Sequence, residues 1–123
     1  MMNKRAVGTG KEDEAARFLQ ECGLKIRELN FRNRFGEIDI IASDGEYIVF
    51  VEVKYRNGES FGNPLDSVGY NKQKTICKVS EVYIRVNGDD FDAPIRYDVI
   101  AVQSCEDGMV KVKWLKNAVE YVL

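Results

Sequence analysis

The sequence predicts an α/β domain in which one sheet packs against helices. Three observations carry that reading: an apolar stripe at helical spacing near the start, two Ile/Val/Phe-rich runs joined through Asp-Gly, and a second helical stripe ahead of two further strands.

The elements follow in the order helix, hairpin, helix, two strands. Thr9-Gly10-Lys11-Glu12 has the form of a capping box, in which a hydroxyl and a carboxylate three residues on satisfy free amides at a helix start. Ala15, Ala16, Leu19 and Cys22 then share one face, and Gly23 ends the run. Leu24 to Phe31 reads as a first strand leading to the polar loop Asn33-Arg34-Phe35-Gly36. Glu37 to Ala42 and Tyr47 to Tyr55 flank Ser43-Asp44-Gly45-Glu46, whose Asp-Gly core is a hairpin signal. Asn63-Pro64 marks a turn beyond Gly58–Gly62, and Asn71 is placed to cap a helix from Lys72 to Val86, with Ile76, Val79 and Tyr83 on one face. Asn87-Gly88 ends that helix and an acidic loop, Asp89–Asp92, follows. Ile95–Val102 and Val110–Leu115 then read as strands joined across Asp107-Gly108, with a short helix expected from Asn117.

Composition narrows the chemistry. At 123 residues, 45% of them hydrophobic, the chain suits one core, so a single domain over 1–123 is expected. No run approaches the roughly 18 consecutive apolar residues of a membrane span, and no apolar stretch follows the charges of Met1–Arg5, so a cytoplasmic protein without a membrane partner is expected. Cys22, Cys77 and Cys105 are odd in number and far apart, which suits inert thiols better than a zinc or redox pair. The absence of histidine removes Ser-His-Asp and Cys-His nucleophile systems and His-based acid–base chemistry. Catalysis, if present, must run on carboxylates, lysines or a metal.

A net charge of −2 and a pI of about 5.3 give no simple basic footprint. The charge is nevertheless uneven. Residues 1–36 hold eight Lys/Arg against five Asp/Glu and residues 54–78 hold five against two, whereas 37–53 and 89–108 are each net −5. Such blocks are either solvated faces or a binding surface beside an acidic site.

The hairpin carries the candidate chemistry. Closed on Asp44-Gly45, it sets Asp39 opposite Phe50 and Glu37 opposite Glu52, and strict alternation puts Glu37, Asp39, Ile41, Ile48, Phe50, Glu52 and Lys54 on one face. Asp39 and Glu52 are then diagonal neighbours about 7–8 Å apart at Cα, within reach of a single hard cation. Mg²⁺ (or Mn²⁺) takes one or two carboxylates and leaves room for water and a phosphodiester, and Lys54 would orient that water. Glu-x-Lys alone is equally the pattern of a solvated strand. Here the other face, Ile38 and Ile40 with Val49, Val51 and Val53, is wholly apolar, so both faces want covering and charged groups on one of them suggest a site.

Asp39 followed by Glu52-Val53-Lys54 resembles the PD-(D/E)xK nuclease signature. Gly36-Glu37-Ile38-Asp39-Ile40-Ile41, Val49-Phe50-Val51-Glu52-Val53-Lys54, Arg56, Phe61-Gly62 and Arg96-Tyr97-Asp98-Val99 are similar to the bacterial YraN family over nearly the whole chain. The resemblance implies a restriction-endonuclease-like three-layer fold, a central mixed sheet flanked by helices, as in Holliday-junction resolvases. It further implies metal-dependent hydrolysis of DNA, with branched or flapped structures as candidate substrates and a homodimer as the usual assembly. It carries over Glu12, in Gly8-x-x-x-Glu12, as a third metal-side acid, although Glu12 is equally placed to complete the helix cap. Lys72 and Gln73, matching a Lys-Gln pair in relatives, put positive charge at a helix start suited to phosphate. Arg32, Arg34 and Arg56 bracket the hairpin and suit bidentate grip of a nucleic-acid backbone. Asp98 reads as structural, paired with Arg96. A non-catalytic nucleic-acid-binding module on the same fold, and RNA in place of DNA, remain the alternatives.

Overall fold

The computed structural model describes residues 10–57, 70–87, 93–105 and 107–118, with side chains except at positions 10–12, 56, 57 and 70. Helix α1 covers Gly10–Glu21. It stops where Gly23, at φ 99, lets the chain turn back: its N–H donates to Gln20 O and that of Leu24 to Leu19 O, each at 3.0 Å. This paired closure satisfies the last carbonyls and tucks Leu24 into the core. Strands β1 (Lys25–Asn33), β2 (Gly36–Asp44) and β3 (Tyr47–Asn57) follow as an antiparallel meander. Helix α2 (Tyr70–Val86) then carries the chain across to β4 (Ile95–Ser104), which pairs parallel to β3, and β5 (Val110–Leu115) returns antiparallel at the edge. A parallel pair needs such a crossover, and α2 supplies it.

The sheet order is β1-β2-β3-β4-β5, and among the described residues α1 covers one face and α2 the other. Ala15, Ala16 and Leu19 of α1 pack on Ile40, Ala42, Val49, Val51, Val53, Ile100 and Val102. Ile76, Cys77, Val79, Tyr83 and Ile84 of α2 pack on Ile38, Ile41, Ile48, Phe50, Tyr97 and Val99. This is the expected α/β three-layer arrangement around a mixed sheet, consistent with a restriction-endonuclease-like fold. Phe50 is the centre of the α2 layer: it meets Tyr83 edge-on at 5.9 Å and stacks on Tyr97 at 5.6 Å, contacts worth about 0.5–1.5 kcal/mol each beyond burial. Among the described residues no helix is long and apolar enough to cross a membrane.

Three expectations need correction. The hairpin closes one residue later than expected, with Asp44 paired to Tyr47 and Ile41 to Phe50, so the two-residue loop is Gly45-Glu46. Gly45, at φ 61, takes the first loop position, the place where glycine serves a type II′ turn. Strict alternation also fails in β2. Ile38 packs under α2 while Ile40 packs under α1. The reversal is shared with β1, where Asn30 adopts a left-handed φ of 54. Leu29 and Phe31, on either side of it, face opposite layers, and their partners Ile40 and Ile38 follow them. Glu37, next to Ile38, therefore leaves the face of Glu52. Finally, Asn71 lies inside the first turn of α2, which starts at Tyr70, and so does not cap it.

β5 matches its expected limits, β1 begins and ends a little later than expected, and β4 runs two residues further. Thr9, the Asn63-Pro64 turn, Gly88 with the acidic loop Asp89–Asp92, and positions 119–123 lie outside the described residues.

Candidate functional site

The β2–β3 ladder runs from Asp44–Tyr47 to Ile40–Val51 and stops there. One more step would set Asp39 against Glu52. Instead, Val53 N–H donates to Asp39 Oδ2 at 2.8 Å, so a carboxylate takes the place of a ladder carbonyl. Asp39 thus lies against the peptide that links Glu52 to Val53, in the seam between the two strands.

Because Val49, Val51 and Val53 face α1, the residues between them face α2: Phe50 within the core, then Glu52, then Lys54. Glu52 is buried at 8% exposure, yet its Oε2 lies 3.2 Å from Lys54 Nζ and 3.4 Å from Lys72 Nζ. Lys72 comes from the first turn of α2, which holds no acid to neutralise the positive end of the helix dipole. A nearly buried carboxylate is tolerated here because two ammonium groups compensate it.

The loop between β1 and β2 is docked beside α2 by Gly36. Its φ is 153, and a Cβ there would stand 2.6 Å from Thr75 Cγ2, so the approach requires glycine. Asn33 Oδ1 accepts the Phe35 N–H at 2.9 Å and shapes this loop.

Of the residues expected at the site, Glu52, Lys54 and Lys72 come together, and Asp39 lies on the neighbouring strand against the Val53 amide. Arg32 does not join them: it is 75% exposed at its side chain and pairs with Glu37 at 3.1 Å. Arg34 lies over the exposed Phe35 ring at 4.9 Å, on the β1–β2 loop. Gln73 follows Lys72 in α2 and is half-buried. Glu12 lies in α1 and Arg56 in β3 beside Gln103, but both side chains fall outside the described residues.

Two lysines that the sequence did not single out, Lys111 and Lys113, stand on the same face of the sheet as Lys54. The parallel pairing places Ala101 beside Lys54, and the next strand places Lys113 beside Ala101. Nothing local to β5 signals this; it follows from the crossover through α2.

Asp98 is structural, as expected of an Arg–Asp pair, but its network is larger. Fully buried, it accepts bonds from Arg96 Nε at 3.0 Å, Trp114 Nε1 at 2.9 Å and Asn117 N–H at 2.8 Å. Arg96 also reaches Asp44 at 3.1 Å, and its hydrogen bond to Asp98 holds its pKa above the ordinary value. Asp98 lies between Tyr97 and Val99, which face α2, so it points to the opposite side of the sheet from Glu52.

Carboxylate oxygens are the donors that a hard cation takes. Among the described residues no three acids or thiols converge closely enough to hold an ion. Two carboxylates, Asp39 and Glu52, lie on the neighbouring strands β2 and β3 here, and two is a number that Mg²⁺ commonly takes from a protein.

The profile of the Uncharacterised protein family UPF0102 matches residues 11–102, which include Asp39, Glu52, Lys54 and Lys72. A UPF0102 protein of Syntrophus aciditrophicus is 46% identical over 115 residues, covering 91% of this chain and 88% of its own. One of Alkaliphilus oremlandii is 43% identical over 120 residues (95% and 99%), and one of Rhodococcus jostii 36% over 118 residues (96% and 99%). With the family profile spanning most of the chain and these relatives aligned nearly end to end, the chain belongs to the UPF0102 (YraN) family.

Proposed function

We propose that this chain is a metal-dependent endonuclease that hydrolyses phosphodiester bonds of DNA, with branched or flapped structures as its first candidate substrates. The observation that carries the reading is the seam itself. Asp39 is drawn against the Glu52–Val53 peptide where the ladder ends, and Glu52 is flanked on its own face by Lys54 and Lys72.

Asp39 and Glu52 would hold Mg²⁺ or Mn²⁺, with Glu12 as a third candidate ligand. Such an ion, when bound, polarises the phosphoryl oxygen and lowers the pKa of an attacking water. Lys54 places a fixed positive charge beside Glu52, where it orients that water and offsets negative charge developing on the phosphate. Lys72, with the amino end of α2 behind it, binds a phosphate oxygen and positions the backbone. Arg34, on the β1–β2 loop, and Arg56, two residues beyond Lys54 along β3, are candidate backbone contacts.

One observation favours a second reading, a nucleic-acid-binding module without cleavage: Glu52 is already compensated by two ammonium groups and needs no cation for charge balance. Labelled linear, flapped, four-way and single-stranded DNA, and matched RNA, incubated with Mg²⁺ or Mn²⁺, separate the two. Cleavage by wild type that is lost in Glu52→Gln and Lys54→Met is the expected result. Salt-sensitive binding without cleavage in either metal would reject the nuclease in favour of the binding module.

A further inference from the structure

We infer that the α2-side surface of β4 and β5 next to Lys54 is a backbone track for the nucleic acid, with Lys113 and Lys111 holding successive phosphates. The inference rests on the nucleic-acid reading above and extends it to a surface outside the Asp39–Glu52 seam.

The sheet register builds this surface in rungs. Glu52 pairs with Val99 and Val99 with Leu115; Lys54 pairs with Ala101 and Ala101 with Lys113; Gln103 pairs with Lys111 on the rung beyond. Partners on a rung project from the same face, so Lys113 stands on the side of Lys54 and Glu52. Strands lie about 4.8 Å apart, which puts the Cα atoms of Lys54 and Lys113 about 10 Å apart with only a methyl group between them. Lys111 and Lys113 are two residues apart along β5, a step of about 7 Å and close to the separation of successive phosphates in an extended strand.

The small side chain of Ala101 leaves space. A cavity of 290 Å³ is lined among the described residues by Ala101, Gln103, Lys111, Val112 and Lys113, with no carboxylate among them. Ala101 and Gln103 form a nearly buried floor, at 1% and 9% exposure, while both lysines are exposed. The sign of the charge selects the occupant: a polyanion whose charges repeat along its length, read without regard to base sequence. The same geometry shows how a chain of net charge −2 presents a cationic face. Asp98 and Asp44 are on the network of Arg96, and Asp98 points to the other side of the sheet.

The test is the salt dependence of binding, measured in EDTA so that cleavage plays no part. Fluorescence anisotropy of labelled single-stranded and duplex DNA would be followed over a KCl series for wild type, Lys111→Gln/Lys113→Gln, and a control, Lys25→Gln/Lys116→Gln. Each lost phosphate contact flattens log Kobs against log salt by about 0.7 for single strands and 0.9 for duplex. The double variant should therefore lose about 1.4–1.8 from the slope, and the control nothing. A wild-type slope in the double variant, with DNA still bound, would overturn the track and leave the nuclease reading standing. No binding of either DNA by wild type would reject the nucleic-acid reading, and the track with it.

Discussion

Asp39→Ala and Asp39→Asn separate the observed duty of one carboxylate from its proposed one. Asp39 Oδ2 accepts the Val53 N–H at 2.8 Å, and Val53 is only 4% exposed, so water is poorly placed to replace the acceptor. Alanine strands a buried amide, at a cost of about 1.5–3 kcal/mol for a bond to a charged acceptor. Asparagine keeps an acceptor oxygen but loses the charge that makes the bond roughly twice as strong as a neutral one, so about half that cost is expected. For a domain of this length, 1 kcal/mol shifts Tm by about 4 °C, which gives a drop of about 6–12 °C for alanine and half as much for asparagine. Circular-dichroism melts check this order. Cleavage assayed well below both midpoints should be lost in both variants, because a neutral amide is a poor ligand for a hard cation. Wild-type stability in Asp39→Ala would refute the structural duty. Full cleavage by Asp39→Asn would refute the proposed metal duty.

Three further outcomes are expected. Asp98→Asn should cost about 3–5 kcal/mol in urea unfolding, since it breaks a buried pair and leaves Arg96 with Asp44 alone, yet cleavage per folded molecule should persist because Asp98 faces away from Glu52; a loss under about 1 kcal/mol would deny the network its structural role. Gly36→Ala should destabilise through both its φ of 153 and the clash at 2.6 Å, and adding Thr75→Ser, which removes the clashing methyl, should recover part of the loss; no recovery would place the cost elsewhere. Burial raises the pKa of Tyr97 above its ordinary 10.0 while its hydroxyl meets Ser80 Oγ at 2.7 Å. Its contribution is therefore intact below pH 10.0, where folded and unfolded chains both keep the proton, and falls as pH rises beyond that value. Unfolding free energies in alkaline buffers should show the decline in wild type and a shallower one in Tyr97→Phe; identical slopes would remove Tyr97 as its source.

Much of this architecture was legible from local pattern. The spacing of Ala15, Ala16 and Leu19, and of Ile76, Val79 and Tyr83, fixes which helix faces are buried, and Gly23 marks a helix end that the chain uses. Phe50, Glu52 and Lys54 share a face because strand alternation holds in β3. Lys72 was singled out for its place at a helix start, though not for its pairing with Glu52.

Other features were decided only by the tertiary structure. Gly45 suits a hairpin loop at either of two registers that put the same residues on each face, and the chain pairs Asp44 with Tyr47 and Ile41 with Phe50, a choice that alternation alone does not make. Asparagine tolerates a left-handed backbone, but that Asn30 adopts one, and that Ile38 and Ile40 go to opposite layers, depends on the two cores that receive them. The end of the β2–β3 ladder at Ile40–Val51 is what lets Asp39 take the Val53 amide. The placing of Lys113 on the face of Lys54, with one strand between them, depends on β4 lying parallel to β3 across a helical crossover. Periodicity along a chain is a local property, set by the backbone repeat of one element. Register and cross-sheet neighbours are set by the summed packing of residues far apart in sequence, and the candidate site lies where those sums bring β2, β3 and α2 together.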